Sequence, residues 1–357
     1  MKKEHILVIR FSSMGDVAMM VPVVYSLARQ YPHVRITVLS RAFARPLFED
    51  LAPNVNFMVA DLKREYRGIT GLNALYRRLA AKQFTAVADL HNVLRSEYLR
   101  FRFNIGRYRV AHINKHRNGR RRITSTRSKR LEQQPTSFEN YVEVFKKLGY
   151  PVNIQFKSIF PYGEGGNLNL LPKGMNVKND FEEWIGIAPF AAHEGKVYPP
   201  RLMHQVIEQL MQQHPKARIF FFGRGQQEEQ YFTEWCQQHS QCTYVSKNVD
   251  SLHQELILMS HLDVMISMDS SNMHLASLTG TPVVSIWGAT HPYAGFLGWG
   301  QTAENAIQID LECRPCSIFG QKPCRRGDYA CMNRIAPETI IERINNILLT
   351  KKQCLSL

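Results

Sequence analysis

Three short stretches hold side chains that could do chemistry together. The first is Ser12-Ser13-Met14-Gly15-Asp16-Val17, where an acid follows small residues directly after an apolar run. A carboxylate at a strand-to-helix turn can act as a general base, and small residues let the backbone turn sharply and present free amides. Asp at that position is also a good helix cap. The second is Phe190-Ala191-Ala192-His193-Glu194-Gly195-Lys196, which places Lys196 within reach of a phosphate; an exposed loop lysine is otherwise a solubilising charge. The third is Asp269-Ser270-Ser271-Asn272-Met273-His274, followed further on by Trp287-Gly288-Ala289-Thr290-His291-Pro292. Capping side chains and uncovered amides at a helix start make an anion site. His274 fits a core histidine as well as a ligand contact.

Cys313, Cys316, Cys324 and Cys331 begin as a CxxC pair and continue at irregular spacing. Four such thiols are compatible with a structural tetrathiolate zinc site, and equally with packed or surface thiols in a long loop. Asp-x-Asp does not occur, so a metal-carrying catalytic centre has little support and no cofactor is expected for catalysis. No Gly-x-Gly-x-x-Gly follows any apolar run, which argues against a dinucleotide-dependent enzyme.

The elements that must position these groups follow a βαβ rhythm. Apolar, β-branched runs at 5–11, 34–39, 55–59, 85–90 and 108–113 read as strands, with helices such as 17–30 and 138–148 among them. The rhythm restarts with strands at 184–189, 217–222, 242–245, 263–267 and 282–287 and helices at 202–213, 226–238 and 252–260. Between the two series, 163–180 is rich in Gly, Asn and Lys with Pro172 inside, and reads as a linker. The expectation is an α/β protein of two Rossmann-like domains: 1–165, a linker at 166–182, a second domain at 183–335, and a C-terminal helix and tail at 336–357. Parallel sheets bind ligands beyond the carboxyl ends of their strands, where all three motifs fall.

The chain has 357 residues, 44% hydrophobic and 21% charged, which suits two globular domains. Its net charge of +15 is concentrated: 95–130 holds thirteen Lys or Arg against one acid, Glu97. Such a segment suits an anionic membrane surface, a phosphorylated substrate or nucleic acid, or it is a solvated loop. The apolar run at 6–9 is too short for a signal-peptide core, and no stretch is long and apolar enough to span a bilayer. Seven cysteines in a chain this long do not form a secreted disulfide framework. A cytoplasmic location with at most peripheral contact to the inner membrane is expected.

Taken together, the Ser12–Val17 motif, Lys196, the Asp269–His274 motif and Gly288-x-Thr290-x-Pro292 resemble the heptosyltransferase family of glycosyltransferases, family 9, over nearly the whole chain. The resemblance implies a GT-B fold with a donor/acceptor cleft between the two domains, and transfer of a sugar to the inner core of lipopolysaccharide in Gram-negative bacteria. It puts the catalytic base on Asp16, and it puts donor binding on Lys196, Asp269, Ser270, Ser271, His274 and Thr290. Ser13, Gly15, Arg120, Arg121 and Arg122 fall on the acceptor side, facing an anionic glycolipid. ADP-heptose is the leading donor, and displacement is inverting and metal-independent. Two departures bear on the donor: Ser271 stands where the family usually has Gly, and Ala191 and Ala192 replace hydroxyl residues before the lysine.

Two other readings remain open on the residues alone. A GT-B-like sugar-nucleotide epimerase would use the same donor site without an acceptor, and the basic segment argues against it. A nucleic-acid-binding protein would use the basic segment, above all Arg117 to Arg130, but only Phe101, Phe103 and Tyr108 lie near that stretch, so nucleic acid is not expected as a partner.

Overall fold

The computed structural model describes residues 4–161 and 164–355. Residues 1–3, at the start of the chain's opening, and Gly163, at the start of the expected linker, lie outside them, as do 356–357 of the expected tail.

The first series of elements is β1 (His5–Ile9), α1 (Met14–Ala18), α2 (Val21–Gln30), β2 (Arg35–Ser40), β3 (Val55–Val59), α3 (Gly68–Ala80), β4 (Ala86–Asp89), α4 (Leu94–Ile105), β5 (Arg109–His112), α5 (Arg117–Ile123) and α6 (Ser137–Lys147). Its sheet has the order β3-β2-β1-β4-β5 and every pairing is parallel. β1 sits at the centre, with Ile6 opposite Ile36 on one side and Ala86 on the other. All five of its residues are buried, as expected of a parallel strand covered on both faces. The expected single helix over 17–30 is two helices. Pro22 stands in the first turn of α2, where its missing N–H is harmless, but its ring would collide with a carbonyl four residues earlier in a continuous helix.

The second series is β6 (Trp184–Ala188), α7 (Pro200–Gln213), β7 (Arg218–Phe221), α8 (Gln226–Gln238), β8 (Cys242–Tyr244), α9 (Leu252–Ser260), β9 (Val264–Met268), α10 (Ser271–Leu278), β10 (Val283–Ile286), β11 (Ala306–Ile307), α11 (Ala330–Asn333) and α12 (Pro337–Leu355). Its sheet, again parallel, has the order β11-β10-β9-β6-β7-β8. Ile340, Ile341, Ile344 and Leu348 of α12 join Ile185, Ile187, Ile266 and Ile286 in one core. Every strand expected from periodicity is present, and the two-residue β11 is the addition that periodicity could not reveal. No described helix is long and apolar enough to cross a membrane.

The chain divides into two compact units, one running through Lys115 and including Pro135–Ile159, the other comprising His116–Gln134 and everything from Phe160 onward. This departs from the expectation in two places. The expected linker is fastened to the second unit: Gly166 N–H donates to Ser260 Oγ at 2.8 Å, and Lys178 meets the Asp263 carboxylate at 2.6 Å, where Lys351 of α12 also binds. The second half of the basic segment also leaves the first unit. Gln134 N–H donates to Tyr293 O at 2.8 Å, and Lys129 Nζ donates to the carbonyls of Glu312 and Arg314 at 2.6 and 2.9 Å. These carbonyls satisfy an ammonium that burial would otherwise penalise, and burial still pushes the Lys129 pKa down.

Candidate active site

In the first unit, β1 ends and the chain turns through Ser12 and Ser13 into α1, with Asp16 in the first turn. Asp16 Oδ2 accepts from the Ser13 N–H at 3.2 Å and from the Ser13 hydroxyl at 2.8 Å, and it pairs with the Arg10 guanidinium at 2.8 Å. Ser13 therefore takes the N-cap position expected of Asp16, and Asp16 stands in the first turn and reaches back to the Ser13 N–H, the reciprocal half of a capping box. It uses only one oxygen. Oδ1 takes no hydrogen bond from any described residue, and the side chain keeps 28% of its surface. Burial by itself would raise the Asp16 pKa, but the Arg10 charge and the two Ser13 bonds overcome it and hold the carboxyl below the usual range.

Arg10 is itself buried, donates to the Leu90 carbonyl, and stands 5.7 Å from the centre of the Tyr141 ring. The Tyr141 hydroxyl donates to the Asp16 main-chain oxygen at 3.1 Å, so α6 braces the same turn. The loop after β4 closes the other side. Asp89 accepts from the N–H groups of His91 and Asn92, both at 2.9 Å, and from Arg100 at 3.1 Å. His91 Nδ1 accepts from Phe11 N–H at 3.3 Å, which leaves Nε2 as the protonated nitrogen, 3.4 Å from Ser12 Oγ. Burial, then Arg10 and Lys115, push the His91 pKa down to about 3, so the ring is neutral at physiological pH. Of the residues assigned to the acceptor side, Ser13 is committed to Asp16 and Gly15 is buried within α1.

In the second unit the loops after β6, β9 and β10 meet directly. Lys196 Nζ lies 3.1 Å from Asp269 Oδ2, with both side chains largely shielded from solvent. Two residues assigned separately to the donor are thus each other's partners. Ser270 precedes α10 without bonding its amides, and its hydroxyl lies 3.3 Å from that of Ser267, so the amides of the first helical turn lack a side-chain cap. His274 is buried on that helix. The Ala289 N–H donates to Gly195 O at 2.8 Å, and a Cβ on Gly288 would come within 2.6 Å of that same oxygen, so only glycine lets these loops close. Gly320, at φ +78°, packs on the Lys196 side chain, where a Cβ would meet its methylenes at 2.5 Å. Thr290 is fully buried and its hydroxyl has no partner among the described residues.

Arg314 organises the rear of these loops. It is 5% exposed and donates to the carbonyls of Gly288 at 2.5 Å and Thr290 at 3.0 Å, to Ile309 O, and to the Gln308 amide oxygen at 3.0 Å. Burial lowers its pKa. Arg10, Asp89, His91 and Arg314 were not singled out by motif. The available signal was a charged or polar residue at the end of an apolar strand, and an arginine between paired cysteines.

The four cysteines line one cavity of about 20 Å³ with Arg314, Lys322, Arg325 and Arg326 around it. Burial pushes the Cys316 thiol up and takes Cys331 to about 11. Among the described residues no group of three or more His, Cys, Asp or Glu is arranged to hold a metal ion. Arg120, Arg121 and Arg122 lie on α5, placed with the second unit; the Arg120 guanidinium stacks 4.5 Å from the centre of the Phe296 ring, and the other two are exposed.

Comparison with known proteins agrees with this architecture. The chain is 22% identical over 346 residues to lipooligosaccharide heptosyltransferase 2 of Campylobacter jejuni, covering 94% of this chain and 96% of that protein. Among solved structures, the E. coli ADP-heptose LPS heptosyltransferase II superposes with a TM-score of 0.68 at 18% identity, covering 98% of this chain and 99% of that one. A family 9 glycosyltransferase from Veillonella parvula gives a TM-score of 0.72, also at 18% identity, covering 98% of both chains. The fold is GT-B, with two parallel α/β sheets. Glycosyltransferase family 9 (heptosyltransferase) matches residues 72–329, and the chain belongs to that family of glycosyltransferases.

Proposed function

We propose that this enzyme transfers a heptose from ADP-heptose to the inner core of lipopolysaccharide, at the cytoplasmic face of the inner membrane, with inversion at the anomeric carbon. The observation that carries this reading is the Asp16 carboxylate, held ionised through Oδ2 while Oδ1 stays free. A hydroxyl of the acceptor sugar attacks the anomeric carbon of the donor, the bond from that carbon to the diphosphate oxygen breaks, and the hydroxyl proton passes to Asp16 Oδ1. ADP leaves with the negative charge.

That charge is met in the second unit. Lys196 has three N–H donors, and the ion pair with Asp269 fixes the ammonium while leaving donors for phosphate oxygens. The uncapped amides at the start of α10 add a preorganised electrostatic contribution of the kind that is often the largest in group transfer. Ser271 and Thr290 belong to this donor set, and the anionic acceptor draws on the exposed Arg121 and Arg122. The names of the relatives support the sugar, the nucleotide and the glycolipid, since they are described as acting on lipooligosaccharide and ADP-heptose.

Catalysis in this reading needs no divalent ion. The test is transfer from ADP-heptose to a purified inner-core acceptor, with and without EDTA. Product should form at the same rate in both. Full loss restored by Mg²⁺ overturns the metal-independent step, and conversion of ADP-heptose without any acceptor points to an epimerase.

A further inference from the structure

Helix α4 has apolar residues on two opposite faces. Ser96, Leu99 and Phe103 are buried against the sheet. At 100° per residue, Leu94, Phe101 and Ile105 fall within about 40° of one another on the face turned away from that core. They are 85%, 59% and 64% exposed. Large apolar side chains scattered singly on a surface need no explanation, but three aligned on one helix do. The neighbouring helix extends the patch. Asn73 of α3 accepts from Tyr98 of α4 at 2.7 Å, and one turn earlier on each helix stand Ile69, 69% exposed, and Leu94. α3 and α4 follow the carboxyl ends of β3 and β4, the edge of the sheet on which the Asp16 turn also lies.

The rim of the patch is cationic. Arg67 precedes α3, Arg95 is exposed beside Leu94, Arg102 lies over the Tyr76 ring at the seam of the two helices, and Arg107 follows α4. Glu97 is the acid on this helix. An apolar stripe bordered by arginines matches the layered chemistry of an anionic bilayer surface, with acyl chains beneath and phosphates around.

We propose that the outer face of α4, with Ile69 of α3, is the surface by which this enzyme docks on an anionic lipid bilayer, with Leu94, Phe101 and Ile105 entering the headgroup layer. The proposal rests on the reading of a glycolipid acceptor given above, and it assigns the contact to an apolar helix face, where the sequence pointed only to a run of charges. Docking there brings the membrane to the edge of the sheet that carries Asp16.

The experiment is flotation of the full chain with vesicles of phosphatidylcholine alone or mixed with phosphatidylglycerol, comparing the parent with F101E/I105E and with R95Q/R107Q. Circular dichroism confirms that the variants fold, as these side chains are exposed. The parent should float with the anionic vesicles, F101E/I105E should lose at least tenfold in vesicle affinity, and R95Q/R107Q should lose affinity only for anionic vesicles. Transfer to a vesicle-embedded acceptor should fall in step, and transfer to a water-soluble, deacylated acceptor should not change. Parent-like flotation of F101E/I105E overturns the proposal. So does a change from dimer to monomer in light scattering with flotation unaltered, because the face then belongs to a second copy. A parent that floats as expected but transfers nothing to the soluble acceptor sinks the heptosyltransferase reading and leaves the docking face standing.

Discussion

Arg10 and Asp16 pair within one strand-to-helix turn of the first unit, whereas Lys196 and Asp269 pair across two loops of the second. In the first pair the cation is the more buried partner, and the acid keeps an open oxygen. In the second the acid is the more buried, and the cation keeps donors to spare. A cation–carboxylate pair therefore leaves a carboxylate oxygen open in one unit and ammonium donors open in the other, which suits the base and the phosphate contact proposed above. Which member is sunk into the protein decides what the pair offers to a substrate, because the buried partner serves to fix the charge of the exposed one.

The sharpest way to break this comparison is to remove the proposed base while keeping its shape. Asp16→Asn retains an acceptor for Ser13 but cannot take a proton, so kcat should fall by about 10²- to 10⁴-fold with donor affinity by calorimetry unchanged. Parent-like turnover would reduce Asp16 to a cap. In the second unit, Lys196→Ala leaves the Asp269 carboxylate buried and unpaired, at a cost of about 3–5 kcal/mol in urea unfolding. Converting Asp269 to Asn in the same chain should restore much of that stability. ADP binding, by contrast, should stay weakened by about 1.5–3 kcal/mol in the double variant, with adenosine unaffected.

A smaller effect separates the pairs by pH. With Arg10 in place, the Asp16 carboxyl lies below its ordinary value, so the base form persists, and its share of stability is kept, until pH falls through that lowered pKa. Arg10→Gln leaves burial as the leading influence, which raises the pKa, so the acid limb of kcat should move to higher pH while the rate near pH 8 changes less. An unmoved limb would mean that the Arg10 charge does not govern Asp16. The smallest expected change concerns α5. Arg120→Gln should cost about 0.5–1 kcal/mol in urea unfolding through loss of its stacking on Phe296. Replacing the exposed Arg121 and Arg122 by Gln should spare stability and raise the acceptor KM mainly at low salt, since such contacts are screened over about 8 Å at physiological ionic strength.

Much of this was legible in the residues because it is local. A buried parallel strand needs a continuous apolar run, and a ligand loop follows its carboxyl end, so the strands and the positions of Asp16, Lys196 and Asp269 could be read from order alone. Pairing could not be read in that way. That Lys196 faces Asp269, that His91 is a neutral ring against Ser12, and that Arg314 holds the Gly288–Thr290 turn from behind all depend on loops distant in sequence. The basic segment is the clearest limit. Its charge is a property of composition, but its division between two units follows from where Tyr293, Glu312 and Arg314 offer carbonyls to Gln134 and Lys129.

Helix α4 marks the boundary between the two kinds of information. Its sequence, Leu-Arg-Ser-Glu-Tyr-Leu-Arg-Phe-Arg-Phe-Asn-Ile, has apolar residues on both sides, and periodicity by itself gives no reason to bury Leu99 and Phe103 in preference to Phe101 and Ile105. The sheet makes that choice. The β4–α4 turn, set by the Asp89 bonds to His91 and Asn92, fixes the rotation at which the helix lands, and one face can be covered by a sheet only if the opposite face is left outside. The sequence determined that this stretch would carry more apolar surface than one face can bury, and the tertiary structure determined that it is a helix and which part of that surface remains to meet something else.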